Sequence, residues 1–179
     1  MTTTPRPPVV GGLSGPEGID VLRIVWWSRR GYWHGAQHGY GPGRVLSAAL
    51  AILWWPTAPL LVVGQSYLLA RRHARYYMSP KRDAVLAIVA TRKGWHIEDH
   101  IADRPRTGRG KVLRALIMPK LRAAADAGNI SILTTAANDR LAAQYSSELL
   151  GLADIGRGCP RGRKMRRDPQ PTSQINGRP

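Results

Sequence analysis

The six residues Arg106-Thr107-Gly108-Arg109-Gly110-Lys111 combine two glycines with three cationic side chains. Glycines two positions apart, at a turn from a strand into a helix, expose successive backbone N–H groups, and the helix start adds a partial positive charge. Such a turn favours an anion such as pyrophosphate. The spacing differs from the Walker pattern, which ends in Gly-Lys-Ser/Thr, and from the dinucleotide fingerprint, because Leu113 stands at its third glycine position. A glycine turn with solvated basic neighbours is the alternative interpretation.

Hydrophobic periodicity and turn residues predict the elements that must position this turn. They are strands at 84–91, 95–102 and 130–135 and helices at 108–127 and 138–150. Asn138 offers an N-cap to the last helix, and Gly128 and Gly151 end the two helices. Because a helical crossover joins the second and third strands, these strands are predicted to be parallel in one mixed sheet of the α/β (α+β) class.

Residues downstream of the turn complete a longer pattern. Asn138 and Tyr145 stand seven residues apart, and Leu150-Gly151-Leu152 follows them. With Gly108 and Gly110, these positions make residues 84–152 resemble the acetyl-CoA-binding half of the GCN5-related N-acetyltransferase family. The resemblance predicts a partial acetyltransferase-like mixed sheet with helices, preceded by a hydrophobic helical segment where the family has a strand and two helices. No further strand pair is predicted after Leu152.

The resemblance implies that acetyl-CoA is the acetyl donor and that the backbone amides of the turn bind its pyrophosphate. The implied cofactor-binding residues are Arg106, Thr107, Gly108, Arg109, Gly110, Lys111, Asn138 and Ile101, near which the strand edge would pair with the pantetheine amides. Tyr145 would be the acid that protonates the departing thiolate of coenzyme A. The acceptor would be an amine that the sequence does not identify.

Transfer to an amine also needs a base, because an ammonium group must lose a proton before its nitrogen can attack a thioester. Along the second predicted strand, His96, Glu98 and His100 alternate onto one face, and Asp99 points to the other. Glu98 is the candidate base, with His96 or His100 as substitutes. A solvated surface strand is the alternative explanation of the same residues.

Residues 45–70 contain no charged side chain and are bracketed by Arg44 and by a basic cluster at 71–75. As one helix this stretch would be about 39 Å long, enough to cross the roughly 30 Å hydrocarbon core of a bilayer with tilt. Pro56 and Pro59 at its centre favour a split into two short arms, which would form a hairpin dipping into one leaflet. The basic flanks then place both ends in the cytoplasm. A buried helical hairpin of a soluble domain is the alternative.

Composition limits the class of protein. The chain has 179 residues with 27 Lys or Arg against 11 Asp or Glu, which gives a formal net charge of +16. Hydrophobic residues make up 43% of the chain, a share that argues against a wholly disordered, collagen-like or mucin-like protein. Cys159 is the only cysteine, which excludes an intramolecular disulfide framework and a zinc site of the two-CxxC kind. No metal site is predicted.

Changes in composition divide the chain into four segments. They are a flexible tail at 1–18, a basic and aromatic region at 19–83 that includes an irregular loop at 31–44, an acetyltransferase-like domain at 84–156, and a basic disordered tail at 157–179. The cations of the last segment predict binding to anionic membrane lipid or to nucleic-acid phosphates. A merely solubilising tail is the alternative.

Taken together, these features predict a membrane-associated N-acetyltransferase whose catalytic part faces the cytoplasm, where acetyl-CoA is available. The alternative is a non-catalytic, basic, membrane-bound adaptor with a degenerate acetyltransferase-like domain that binds nucleic acid or protein.

Overall fold

The computed structural model of the chain describes residues 4–38, 41–104, 107–158 and 162–170, without the side chains of Pro42 and Asp99. Arg106 and Cys159 lie outside the described residues. The elements are α1 (Gly18–His38), α2 (Pro42–Ala70), β1 (Ala74–Met78), β2 (Ala84–Thr91), β3 (Gly94–Ala102), α3 (Arg109–Ala127), β4 (Ile132–Ala136), α4 (Asp139–Glu148), β5 (Ala153–Arg157) and β6 (Arg163–Arg167).

The strands of the described ranges form one mixed sheet in the order β1-β2-β3-β4-β6-β5. β3 and β4 are parallel, and every other neighbouring pair is antiparallel. The predicted mixed α/β fold is confirmed, as is the parallel pair that α3 connects. β1, β5 and β6 were not predicted from the sequence.

A hydrophobic cluster lies on each face of the sheet. On one face, β2 packs against α3 through side chains such as Leu86, Leu113 and Ile117, which are fully buried. On the opposite face, Ile24 and Trp27 of α1 pack against β1 and β2. Each such side chain contributes roughly 1.5–3 kcal/mol when it leaves water, so the sheet is held from both sides.

α1 and α2 form an antiparallel pair, and this corrects the irregular loop predicted at 31–44. α1 continues to His38, and α2 already begins at Pro42. Gly35 allows the two helices to approach closely, because a Cβ atom at that position would lie 2.8 Å from the Ser47 Oγ. Packing between the helices therefore overrides the low helix propensity of the glycines.

α2 is one continuous helix of 29 residues, about 44 Å long, so the predicted split at Pro56 and Pro59 is wrong. The two prolines remove the N–H partners of the carbonyl groups of Ile52 and Trp55. Those residues are 70% and 62% exposed, which places them on the outer side of the helix. The inner side of α2 packs against α1, as the hydrogen bond from Trp54 to the Val25 carbonyl shows, and this packing keeps the helix continuous through both prolines.

Among the described residues, one helix is long and apolar enough to cross a membrane by length and composition. It covers Gly43–Ala70, with a mean hydropathy of 1.8 and 11% of the window buried. α1 lies between much of α2 and the sheet, and the Trp54 Nε1 donates to the Val25 carbonyl at 3.3 Å. The opposite side of α2 exposes a broad apolar surface.

The N-terminal segment is not a free tail over residues 4–17, in contrast to the prediction for 1–18. Val10 is buried in the cluster beneath α3. The Trp95 Nε1 donates to the Pro5 carbonyl at 2.7 Å, and the Tyr77 hydroxyl donates to the Pro8 carbonyl at 2.7 Å. The segment has few apolar groups of its own, and polar side chains of the sheet hold it instead.

The C-terminal region also differs from the prediction, because β5 and β6 follow Leu152 and part of the supposed disordered tail is strand. β6 pairs with β4, and Met165 is buried in the core beneath the sheet. The Arg167 side chain is fully buried and binds both carboxylate oxygens of Asp126 at 2.8 Å. Composition alone indicated disorder at 163–167, but a buried bidentate ion pair with α3 orders it.

Candidate functional site

An opening in the sheet begins where β3 and β4 stop pairing. The parallel register covers 95–97 and 132–134 and ends at Ile97 and Thr134, whereas β3 continues to Ala102. The Thr134 hydroxyl donates to the Ile97 carbonyl at 3.3 Å and marks the end of the contact. The edge of β3 that carries Ile101 is thus not paired with β4, which leaves main-chain groups available for another partner.

A β-bulge in β3 redirects the side chains beside this opening. Ile101 faces Val85 and Glu98 faces Ala87, so β3 contributes one extra residue between those pairs. His100 consequently turns towards α3, while Glu98 lies on the α1 side of the sheet. The prediction that His96, Glu98 and His100 share one face is therefore wrong for His100.

His96 and Glu98 do lie together, as the alternation predicts. The His96 Nδ1 is 3.2 Å from the Glu98 Oε1, and the Glu98 side chain is 42% exposed. The contact with His96 is the main cause that lowers the pKa of Glu98. Partial burial opposes this effect, and the charges of His96, Arg71 and His73 each add a smaller lowering contribution. Glu98 is thus an accessible carboxylate next to the opening.

The start of α3 has the geometry that the glycine spacing predicts. Gly108 occupies the N-cap with φ +79°, a left-handed conformation, and no side chain of the described residues caps the helix. Gly110 is buried against the His100 ring, since a Cβ atom there would lie 2.2 Å from the His100 Nε2. Thr107 and Lys111 are exposed, and the Thr107 hydroxyl donates to the Arg104 carbonyl at 2.9 Å.

Arg109 lies beside the same turn but is already paired with acidic residues. Its guanidinium binds the carboxylate of Asp103 and lies 3.5 Å from that of Asp83. Lys111 therefore offers the more available positive charge of the two. Of the three predicted cationic ligands, Arg106 lies outside the described residues.

Tyr145 lines a narrow cavity on the α3 side of the opening. The cavity is bounded by Ile97, Arg114, Met118, Thr134, Tyr145, Glu148, Leu149 and Leu152. The space left among them is about 10 Å³, roughly the room that one water molecule needs. Only a small group can enter without displacing side chains.

Arg114, Glu148 and His100 form a buried polar cluster around Tyr145, and the sequence reasoning missed it. The Arg114 guanidinium binds the Glu148 carboxylate, lies 2.8 Å from the His100 Nδ1 and sits 5.2 Å from the centre of the Tyr145 ring. One signal was available in the sequence: Arg114 adjoins Leu113 on the apolar stripe of α3, and a cation there needs a buried partner.

The cluster changes the proton affinities of its members. Burial raises the pKa of Tyr145 despite the opposing charge of Arg114. Burial, with help from Arg114, lowers the pKa of His100 to about 4. Burial acts to raise the pKa of Glu148, but hydrogen bonds from Arg114 and Gln144 outweigh it and lower the value. At neutral pH the Tyr145 phenol and the His100 imidazole are thus both uncharged, and the opposite charges of Arg114 and Glu148 form an ion pair.

Asn138 has a structural role in this arrangement. It is the N-cap of α4, and its Oδ1 accepts a hydrogen bond from the Leu141 N–H at 2.9 Å. The cap sets where α4 begins and so fixes the position of Tyr145, two turns later.

Comparison with solved structures places this geometry in a known fold. Superposition on PaiA N-acetyltransferase from Thermoplasma acidophilum, solved in complex with coenzyme A, gives a TM-score of 0.55 at 10% identity, covering 87% of this chain and 97% of that one. An acetyltransferase from Thermus thermophilus gives 0.54 at 13% identity, covering 93% and 99%. A protein from Corynebacterium glutamicum, described as histone acetyltransferase HPA2 and related acetyltransferase, gives 0.52 at 16% identity, covering 96% and 99%. No family model and no curated protein matches the sequence.

The chain has the fold of the GCN5-related N-acetyltransferases. This confirms the resemblance found at 84–152, and the acetyltransferase fold extends over almost the whole chain instead of that half alone. α1 and α2 precede the sheet, and Ser14 makes a single antiparallel bridge with Met78 at the edge of β1. Within the acetyltransferase fold, the opening between β3 and β4 is flanked by Glu98 on one face and Tyr145 on the other.

Proposed function

We propose that the protein is a membrane-associated N-acetyltransferase that uses acetyl-CoA and acetylates an amine. The observation that carries this proposal is the opening between β3 and β4, which has an uncapped glycine-rich helix start beside it and an ionisable side chain on each face. The solved neighbour that holds coenzyme A supports the choice of donor.

The residues at the start of α3 fit the phosphate end of acetyl-CoA. A Cβ atom at Gly108 would meet none of the described residues within 4 Å, so the side of the turn that Gly108 faces is open among them. The backbone amides at the helix start and the partial positive charge of the helix favour a pyrophosphate, with Lys111 nearby. The free edge of β3 near Ile101 offers main-chain groups to the pantetheine amides. The small cavity at Tyr145 favours an acetyl group over a longer acyl chain.

Two side chains supply the proton transfers. Acetyl-CoA supplies an activated acetyl group when it is bound. Glu98, ionised at neutral pH because its pKa is lowered, attracts the ammonium form of the acceptor and accepts its proton. Tyr145 remains protonated because burial raises its pKa, so it can donate a proton to the sulfur as the C–S bond breaks. One C–N bond forms and one C–S bond breaks. Of the two protons that the ammonium nitrogen loses, the first passes to Glu98 and on to solvent, and the second, released as the amide forms, offsets the proton that Tyr145 gives to the sulfur.

The exposed surface of α2 supports membrane association. Its exposed apolar side chains are Val45, Leu46, Leu50, Ile52, Leu53, Trp55, Leu60, Leu61, Val63 and Tyr67. The adjoining α1 is tied to the domain, because buried Asp20 binds Arg82 at 3.0 Å and Arg30 donates to the Asp103 carbonyl at 3.2 Å. Crossing the bilayer would carry the charges of α1 into hydrocarbon, so we place α2 parallel to the membrane surface.

The basic residues at both ends of α2 are suited to a surface with anionic lipid. Arg44 precedes the apolar stretch, and the cluster at 71–75 follows it. Because acetyl-CoA is a cytosolic metabolite, we expect α2 to lie on the cytoplasmic surface of the membrane and the catalytic part to face the cytoplasm.

Acetyl-CoA binding is tested with two matched glycine variants. Gly108 and Gly12 both have φ near +80°, and a Cβ atom at either position would meet open space, so Gly108→Val and Gly12→Val impose the same kind of backbone strain. At a concentration a hundredfold above its dissociation constant, acetyl-CoA should add about 2.7 kcal/mol to the stability of the wild type in a thermal-shift titration. Gly108→Val should lose at least about tenfold in affinity, whereas Gly12→Val should not.

Failure of the wild type to respond to acetyl-CoA, or equal responses of the two variants, would refute the proposed donor site. Measuring the release of coenzyme A thiol in the presence of amines then distinguishes an N-acetyltransferase from a non-catalytic adaptor. Acetyl-CoA binding without amine-dependent thiol release would favour the non-catalytic adaptor.

A further inference from the structure

At the end of α2, cationic side chains lie next to an exposed aromatic ring. Residues 71–75 follow directly after the last turn of α2, and Arg72 and His73 are exposed. The Arg71 guanidinium lies 5.2 Å from the centre of the Tyr67 ring, which is itself 65% exposed on the outer side of α2. Tyrosine and arginine at the end of an apolar helix are typical of the headgroup level of a bilayer. We call residues 71–75 the cationic turn.

The cationic turn lies close to the candidate base. The His73 carbonyl accepts a hydrogen bond from the Ala90 N–H at 2.8 Å. In the sheet, Ala74 faces Val89 and Val89 faces His96, so the start of β1 and His96 are two strand spacings apart, about 10 Å. His96 is in contact with Glu98, and the positive charges of Arg71 and His73 act on the Glu98 carboxylate. Cations and a carboxylate thus share one surface on the α1 side of the sheet.

This charge pattern is complementary to a particular kind of amine. A protein lysine carries a single ammonium group and needs only the carboxylate. A phospholipid headgroup with a primary amine carries a phosphate two carbons away from its ammonium group, and it needs a cationic site and a carboxylate side by side. The apolar surface of α2 would bring such a lipid to the cationic turn at the depth of its phosphate.

We propose that the acceptor is the primary amine of a phospholipid headgroup, with its phosphate bound by the cationic turn and its ammonium group directed to Glu98. This inference rests on the proposed N-acetyltransferase function and specifies its substrate class. The amine nitrogen forms a bond to the acetyl carbonyl carbon, and the C–S bond of acetyl-CoA breaks. The first proton lost by the ammonium group passes to Glu98, and the second, lost as the amide forms, balances the proton that Tyr145 gives to the sulfur. The product is an N-acetylated, anionic phospholipid and free coenzyme A.

The test uses the full chain with acetyl-CoA labelled in the acetyl group. Vesicles contain phosphatidylglycerol mixed with either phosphatidylethanolamine or phosphatidylcholine, whose headgroup has the same charges but no transferable N–H proton. We expect label in the extracted lipid of the ethanolamine vesicles, with one acetyl group gained by mass spectrometry, and none in the choline vesicles. A soluble lysine peptide in the same mixture should remain unlabelled.

An assay with a soluble headgroup as acceptor measures recognition of the phosphate without any contribution from membrane binding. With glycerophosphoethanolamine as acceptor, Arg71→Gln should raise the KM by roughly tenfold with little change in kcat, because one charge-assisted contact is lost. Arg92→Gln, a change in the exposed turn between β2 and β3, removes the same charge elsewhere and should leave the KM unchanged. Circular dichroism checks that both variants remain folded.

Each result has a definite meaning. Acetylation of the lysine peptide in preference to lipid, or an equal KM for the Arg71 and Arg92 variants, would overturn the lipid acceptor while leaving the acetyltransferase intact. Loss of acetyl-CoA binding by the wild type would instead refute the proposed function itself.

Discussion

His100 illustrates how the environment of one residue depends on a shift of one position in a strand. Simple alternation predicts that it faces solvent with Glu98, but the bulge turns it beneath α3 against Gly110 and Arg114. Burial there lowers its pKa to about 4. The imidazole is neutral at physiological pH and accepts a hydrogen bond from the Arg114 guanidinium, so it supports the Arg114–Glu148 pair beside Tyr145 instead of acting as a base.

This lowered pKa predicts that part of the stability depends on pH. An unfolded histidine titrates near pH 6.5, so between pH 6.5 and about 4 the unfolded state binds more protons than the folded state. The free energy of unfolding should therefore fall as the pH is lowered through this window, by about 1.4 kcal/mol per pH unit from this group at most.

Urea denaturation at about pH 7.5 and about pH 5 measures the effect. The stability gap between the wild type and His100→Asn should narrow by roughly 2 kcal/mol at the lower pH, because the variant lacks the titrating group. Thr135→Ala, an exposed change without a titratable group, is the control. A gap of equal size at both pH values would contradict the assignment of His100.

Among the elements, α2 departs most from ordinary packing because two adjacent tryptophans have opposite environments. Trp54 is buried against α1, whereas Trp55 is 62% exposed. The Arg29 guanidinium lies 5.7 Å and 5.3 Å from the centres of the two rings, so both rings share one cation. The side of α2 that packs against α1 thus stabilises the fold, and the opposite side is exposed and can contact a membrane.

Substitutions of Trp54 and Trp55 should affect different properties, the first the stability of the fold and the second binding to membranes. Trp54→Ala removes a buried ring and should lower the free energy of unfolding by about 3–5 kcal/mol in chemical denaturation. Trp55→Ala should cost less than about 1 kcal/mol of stability but weaken vesicle binding by roughly tenfold, because the exposed ring no longer enters the lipid. Equal vesicle affinity for Trp55→Ala and the wild type would argue against the proposed position of α2.

For the whole molecule, the net charge of +16 and the apolar side of α2 make two different contributions to membrane binding. Electrostatic attraction to anionic lipid is screened by salt, whereas burial of apolar side chains is not. The cationic turn contributes exposed positive charge to this attraction, while residues such as Arg109 and Arg167 are already paired with acids.

Vesicle flotation at two salt concentrations distinguishes these contributions. Binding to anionic vesicles should weaken when salt is raised from about 0.1 M to about 1 M, as the screening length falls from about 10 Å to about 3 Å, but it should not disappear. Phosphatidylcholine vesicles, which lack net charge, should bind less protein at low salt and show little dependence on salt. Absence of binding at both salt concentrations would refute membrane association.

The local elements of the domain were determined by the sequence itself. The strand at Ala84–Thr91, the amphipathic helix α3 and the Asn138 cap depend on periodicity and on residues a few positions apart, so they could be predicted without knowledge of the fold. The glycine turn and Tyr145 belong to this group as well, since their spacing along the chain is what makes them recognisable.

Only the tertiary structure decided features that depend on residues distant in the chain. The Arg114–Glu148 pair joins positions 34 residues apart, and Arg167 reaches Asp126 over 41 residues to order a strand that composition had indicated to be disordered. The continuity of α2 likewise depends on its contact with α1. The position of His100 depends on the bulge that β3 forms where it pairs with β2. Burial and charge compensation arise from these long-range contacts, and the spacing of residues along the chain does not contain them.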